Sequence, residues 1–137
     1  MSNYLEQYLP RVTRFSQPFW DGLKQGKFQS TRCRHCQGIS FPPHSLCPDC
    51  FSDRYEWVEL KGRAILYSFT LHEIVPRAYI KDAPYITAMV DLEEGPRILC
   101  RLKEARYEDL IPGMSLKVGF GQLDEKVAIF YFVPAER

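Results

Sequence analysis

Hydrophobic and polar positions follow two rhythms along this chain, and the change falls near Trp57. Before it, the recurrent pattern is helical. In "SQPFWDGLKQGKF", residues 16–28, Phe19, Trp20 and Leu23 fall on one side at helical spacing. Ser16 suits the N-cap, Pro18 the first turn and Gly26 the stop. After Trp57 the period drops to two, the signature of strands. In "GRAILYSFTLHEI", Ile65, Tyr67, Phe69 and Leu71 share a face, and in "PYITAMVDL", Ile86, Ala88, Val90 and Leu92 do. In "PRILCRLK", Ile98, Cys100 and Leu102 alternate with Arg97, Leu99, Arg101 and Lys103. "SLKVGFGQ" aligns Leu116, Val118 and Phe120. "KVAIFYFVP" is apolar on both faces, with Val127, Ile129, Tyr131 and Val133 on one and Ala128, Phe130 and Phe132 on the other.

These runs predict five strands, with a short helical turn, "YEDLIPG", between the third and the fourth, ended by Pro112 and Gly113. That is the element order of an OB-fold, a five-stranded Greek-key barrel. The first strand is long, as it must be to bend and serve both halves of the barrel. Gly62, Gly119 and Gly121 suit bends or bulges. "DLEEGP" reads as a turn whose carboxylates are solvated.

Between the two rhythms lies "CRHCQGISFPPHSLCPDC", which runs from Cys33 to Cys50. Its spacing, Cys-x2-Cys-x10-Cys-x2-Cys, makes two knuckles. Their four sulfurs, Cys33, Cys36, Cys47 and Cys50, suit one zinc ion in tetrahedral geometry. Rubredoxin-like iron in the same ligand set and thiol redox chemistry are the alternatives. A complete four-cysteine set closes the coordination shell, so the expected Zn2+ is structural, one per chain, and not catalytic. His35 and His44 read as bystanders, and the lone Cys100 as a small buried hydrophobe. His72 reads as a barrel-rim residue. The fold class expected is therefore mainly β: an N-terminal helical arm over residues 1–30, a rubredoxin-like zinc ribbon over 31–55 and a C-terminal five-stranded OB-fold barrel over 56–137.

Composition narrows the function. Of 137 residues, 26% are charged and the formal net charge is +1, which four thiolates and one Zn2+ would bring to about −1. No broad field draws such a chain to nucleic acid or a membrane. No stretch has the roughly 18 apolar residues of a membrane span, and "MSNYLEQYLPRVTRF" lacks the apolar stretch of a secretory signal. A cytoplasmic location is the expectation, and it disfavours disulfides. No phosphate loop, nucleophile elbow or His-Glu-x-x-His motif is present.

The order of parts then becomes recognisable. An "FW" helix is followed by the four cysteines with "FPP" at Phe41–Pro43, then "GRAILYSFT", then "PYITAMVDLEEGPR". This resembles the acyl-CoA-associated zinc-ribbon/OB-fold family, often labelled domain of unknown function 35, over roughly residues 15–134. The resemblance implies a non-catalytic accessory subunit of a thiolase-like enzyme: a thiolase, acyltransferase or aldolase, in some cases an acyl-CoA hydratase. The catalytic residues would belong to that partner, a heterotetramer would be the assembly, and a CoA thioester would lie at the shared interface. Residues offered to the partner are Phe19 and Trp20 on the arm and Phe130 and Phe132 on the last strand, whose second apolar face has no obvious use in a lone barrel. Residues offered to CoA are Arg77, Tyr79 and Lys81, in the loop between the first two barrel strands, and Arg97, Arg101 and Lys103 on one strand face. The alternative function is a single-stranded nucleic-acid-binding module, against which the near-neutral charge counts.

Overall fold

The computed structural model describes residues 12–74, 77, 81, 83–122 and 127–135. The chain forms a helix α1 (Gln17–Lys24) and strands β1 (Gln29–Cys33), β2 (Ile39–Ser40), β3 (Tyr55–Glu59), β4 (Arg63–His72), β5 (Tyr85–Leu92), β6 (Arg97–Leu102), β7 (Ser115–Gln122) and β8 (Ala128–Pro134). A 3-10 turn, Tyr107–Asp109, sits between β6 and β7. Strands β2-β1-β3 make one antiparallel sheet, so the ribbon's sheet starts at Gln29 and ends at Glu59. Strands β4-β5-β6-β8-β7 close into a barrel, β7 returning onto β4 and β6 meeting β8 in parallel. This is the OB-fold expected from the strand order.

Helix α1 ends as the sequence suggests. Gly26 takes φ +74°. The Lys27 N–H reaches back to the Gly22 carbonyl at 2.8 Å and the Gly26 N–H to Leu23 at 3.1 Å, a Schellman closure. Its start differs. Ser16 stands at the N-cap, but its hydroxyl accepts from the Thr13 N–H at 2.9 Å instead of from the helix.

Strands β5 and β6 alternate as read. Ile86, Ala88, Val90 and Leu92 are buried, as are Ile98, Cys100 and Leu102. Burial of Cys100 pushes its thiol up to about 12, as suits a small hydrophobe with no charge partner. Strand β4 departs from the reading. A bulge between Leu66 and Ser68 shifts its register, so Ala64 and Leu66 point inward before it and Phe69 and Leu71 after it. Ile65 and Tyr67 are left outside, 44% and 52% exposed. One extra residue reverses which face of a strand sees the core.

Two glycines expected to bend β7 do something else. The β7–β8 register is unbroken from Leu116↔Pro134 to Gln122↔Ala128. A Cβ at Gly119 would lie 2.5 Å from the Tyr131 ring, and one at Gly121 3.3 Å from it. The two positions clear space for that ring to lie flat across the strand. The "DLEEGP" turn also differs from its expected solvated state. Glu94 is half-buried, its carboxylate accepts from the Lys61 N–H at 2.7 Å, and the Lys61 ammonium pairs with Glu93 at 3.1 Å. The turn thus clamps the link between ribbon and barrel.

The arm, ribbon and barrel share one core. Phe19 of α1, Phe28 before β1, Phe41 after β2, and Phe130 and Phe132 of β8 form a mesh of rings with centroids 5.0–6.3 Å apart. Phe19 is 5% exposed and Phe132 fully buried. This corrects the expectation that they offer themselves to a partner: the second apolar face of β8, with Phe130 and Phe132, is covered by this chain's own arm and ribbon. Aromatic pairs of this kind add about 0.5–1.5 kcal/mol each beyond area burial. Trp20 stays half-exposed beside Phe19.

Candidate metal centre

The ribbon folds around sulfur. Each Cys-x-x-Cys turn is built the same way. In the first, the Gln37 N–H bonds the Cys33 carbonyl at 2.9 Å and the Cys33 N–H bonds Gly38 at 2.8 Å. In the second, Phe51 bonds Cys47 and Cys47 bonds Ser52, both at 2.9 Å. The residue after each closing cysteine is left-handed: Gln37 at φ +67° and Phe51 at +63°. The special backbone thus lies one residue before Gly38.

These two turns bring all four Sγ atoms within 4.8 Å of one another. Cys33 and Cys50 are 3.5 Å apart, Cys36 and Cys47 3.6 Å. Sulfurs at about 2.3 Å from a tetrahedral zinc sit about 3.8 Å from each other. The cage is therefore the right size for one Zn2+. Backbone N–H groups of His35 and Cys36 point at Cys33 Sγ at 3.3 and 3.4 Å. The Cys36 N–H does most to hold the Cys33 thiol down to about 6, against burial and with help from His35. A thiolate is the form a metal needs. When bound, the ion supplies a crosslink between the two knuckles, and four sulfurs leave it no open position.

Neither histidine belongs to the cage. His35 is exposed and contributes its N–H. His44 is tied by its main chain: its N–H bonds Thr31 Oγ1 at 3.0 Å, and that hydroxyl donates to the His44 carbonyl at 3.2 Å. Its ring Nδ1 donates to the Pro42 carbonyl at 2.6 Å. Thr31 is 2% exposed, and neighbouring Ser30, fully buried, donates to the Ser40 carbonyl. Those two buried hydroxyls are the functional signal that sequence reading missed. They lock β1 to the loop between the knuckles.

The six residues offered to CoA scatter. Lys81, Arg101 and Lys103 line, with Tyr85, Tyr107 and the carboxylates Glu104 and Glu108, one open groove of about 590 Å3. Arg101 lies over the Tyr85 ring at 3.9 Å and Lys103 over Tyr131 at 4.9 Å. Arg97 is elsewhere on the strand. It makes a two-nitrogen pair with Asp91 at 2.6 and 3.2 Å and lies over Tyr67 at 3.5 Å. Arg77 is exposed, and Tyr79 lies outside the described residues. His72 stacks on Tyr85 with ring centroids 4.9 Å apart and bonds Thr87 Oγ1 at 2.8 Å. Among the described residues, no helix is long and apolar enough to cross a membrane.

Comparison with known proteins agrees with this geometry. Residues 20–56 match the ChsH2 rubredoxin-like zinc ribbon domain, and residues 57–121 match the ChsH2 C-terminal OB-fold domain. A DUF35 domain-containing scaffold protein of Methanocaldococcus jannaschii is 32% identical over 69% of this chain and 67% of its own length. The benzoylsuccinyl-CoA thiolase subunit BbsA of Thauera aromatica is 32% identical over 70% of this chain and 67% of its own. A solved structure described as an Ltp2-ChsH2(DUF35) aldolase superposes with a TM-score of 0.82 at 26% identity, covering 93% of this chain and all of that one. A four-sulfur ribbon fused through one aromatic core to a closed five-stranded barrel, with these relatives, makes this chain a member of the DUF35 zinc-ribbon/OB-fold family.

Proposed function

We propose that this chain is a non-catalytic, zinc-binding accessory subunit of a thiolase-like acyl-CoA enzyme. The observation that carries the non-catalytic part is the cage. Four sulfurs within 4.8 Å of one another surround a single position, so a metal there staples the ribbon and is not open to substrate. The thiolase-like partner is supported by relatives that are a thiolase subunit and a chain of an aldolase. In this reading the partner supplies the acyl-enzyme nucleophile. The ribbon and barrel hold it in a cytoplasmic heterotetramer, and the groove of Lys81, Arg101 and Lys103 receives the phosphates of CoA.

Native purification from the source cell tests the assembly. A stoichiometric thiolase-like chain is the expected result, and a monodisperse lone chain overturns it. For the groove, Arg101→Ala should raise KM of the complex for its CoA thioester several-fold with kcat little changed. An unchanged KM removes CoA binding from this chain. The nucleic-acid alternative predicts salt-dependent binding of single strands. It gains nothing from a face where Arg97 is bound to Asp91.

A further inference from the structure

The bulge in β4 has a second effect, on the outer face of the barrel. Before it, Ala64 and Leu66 point inward; after it, Phe69 and Leu71 do. His72 is thereby turned outward, directly opposite Tyr85 on β5. Its ring stacks on that of Tyr85, with centroids 4.9 Å apart and planes 23° from parallel, and its Nε2 bonds Thr87 Oγ1 at 2.8 Å. Both contacts lead to Arg101 on β6. Arg101 lies over the Tyr85 ring at 3.9 Å, and Thr87 is its partner across the β5–β6 ladder. Tyr85 and Arg101 line the groove, and His72 does not. Three neighbouring strands thus set His72, Tyr85 and Arg101 in a row that ends at the groove.

Arg97, earlier on β6, gives the contrast. It lies over Tyr67 as Arg101 lies over Tyr85. Across from Arg97, β5 offers the carboxylate of Asp91, which takes two of its nitrogens. Across from Arg101, β5 offers a hydroxyl, and His72 engages it. The groove also holds Glu104 and Glu108. An arginine side chain is long and has many rotamers, and a carboxylate within reach competes with a phosphate for the same N–H groups. Attraction to a ring acts on the face of the guanidinium, whereas phosphates are met in its plane. A ring can therefore hold the group in place without taking its donors. That ring must itself be held, and His72 is packed on it from β4. We infer that His72 is a positioning residue, holding Tyr85 so that Arg101 is presented to the phosphates of the CoA thioester. This rests on the proposed function above.

The test uses the zinc-loaded full chain in complex with the thiolase-like subunit that copurifies with it, and coenzyme A itself as the probe. His72→Ala should weaken CoA binding about three- to tenfold, the scale of one lost aromatic stack. It should weaken adenosine 3′-phosphate 5′-diphosphate, the nucleotide half of CoA, by the same factor. His72→Phe keeps a ring on Tyr85 and should restore most of the affinity. Tyr85→Leu should reproduce the loss. In an Arg101→Ala background, His72→Ala should change nothing further. Unchanged CoA affinity in His72→Ala, beside a loss in Arg101→Ala, overturns the inference and leaves the groove standing. So does a full loss added on top of that of Arg101→Ala, since the histidine would then be supporting the sheet in general. A loss seen with CoA and absent with its nucleotide half places the effect away from the phosphates and also overturns it. His72→Phe no better than His72→Ala assigns the effect to the Thr87 bond and overturns the route through Tyr85. If Arg101→Ala itself leaves CoA affinity unchanged, the groove falls as a CoA site and this inference with it.

Discussion

The barrel and the ribbon hold their strands by different means. In β5 and β6 every second residue is apolar and buried, from Ile86 to Leu102, and the sheet is stable because its inner face leaves water. In the ribbon sheet the buried positions are Ser30, Thr31 and Cys33, with Cys47 opposite. There, hydroxyls on carbonyls and sulfurs around one point do the work that hydrocarbon does in the barrel. A region with that little apolar surface depends on its crosslink; the barrel does not. The two are nevertheless continuous through Phe28, whose carbonyl also accepts the Leu60 N–H at 2.7 Å at the exit from the ribbon.

Metal removal should separate the regions most sharply. Structural zinc is worth about 10–16 kcal/mol in apparent binding free energy in small zinc domains. Strong chelation, or Cys47→Ser, should therefore strip hydrogen-exchange protection from β1, β2 and β3 while Ile98 and Cys100 of β6 keep theirs. Loss of protection in both regions together would break the comparison and make the aromatic mesh the real unit of folding.

The reverse perturbation is Phe132→Ala. Truncating a fully buried Phe costs about 3–5 kcal/mol. Urea unfolding should show that loss while zinc content stays at one ion per chain; loss of the zinc as well would mean that the ribbon leans on the barrel.

Gly119→Ala should cost about 1–3 kcal/mol through overpacking against the Tyr131 ring. Combined with Tyr131→Ala it should cost less than the two single changes added, since the clash needs both groups. An additive cycle would mean that Gly119 is required for its backbone and not for the ring.

The smallest effect expected is electrostatic. The hydrogen bond from Arg97 holds the Asp91 carboxyl below its ordinary value. A depressed carboxylate contributes stability above its unfolded pKa of about 3.9 and loses it as pH falls through the folded value. Asp91→Asn should thus lower the thermal midpoint slightly at pH 7, and the difference from wild type should vanish in acid. A gap that persists at low pH would point to packing against Tyr67 instead.

What could be read without the structure follows the same division. Alternation in β5 and β6 was legible because burial there is regular and the register unbroken. It misled in β4, where the bulge after Leu66 turns Tyr67 outward while Phe69 still points in. No local signal marks that extra residue, since the run "AILYSFTL" is apolar or tolerant at nearly every place. The cysteine spacing was legible because a metal cage needs four ligands at short, repeated intervals. Thr31 and Ser30 were not, because a hydroxyl that locks a loop looks like any other hydroxyl until its carbonyl partner, 10 to 13 residues away, is in place.

By itself the sequence determined the family, the four sulfurs, the five-stranded order and the inner faces of β5 and β6. These depend on local spacing, and local spacing is written along the chain. Only the tertiary structure decided that Phe19, Phe130 and Phe132 face each other, that Arg97 belongs to Asp91, and that Phe51 stands alone. Those outcomes depend on which distant segments meet. A ring that is apolar in sequence is core or surface according to what folds over it: the arm covers β8, and Phe51 on the second knuckle is left 73% exposed.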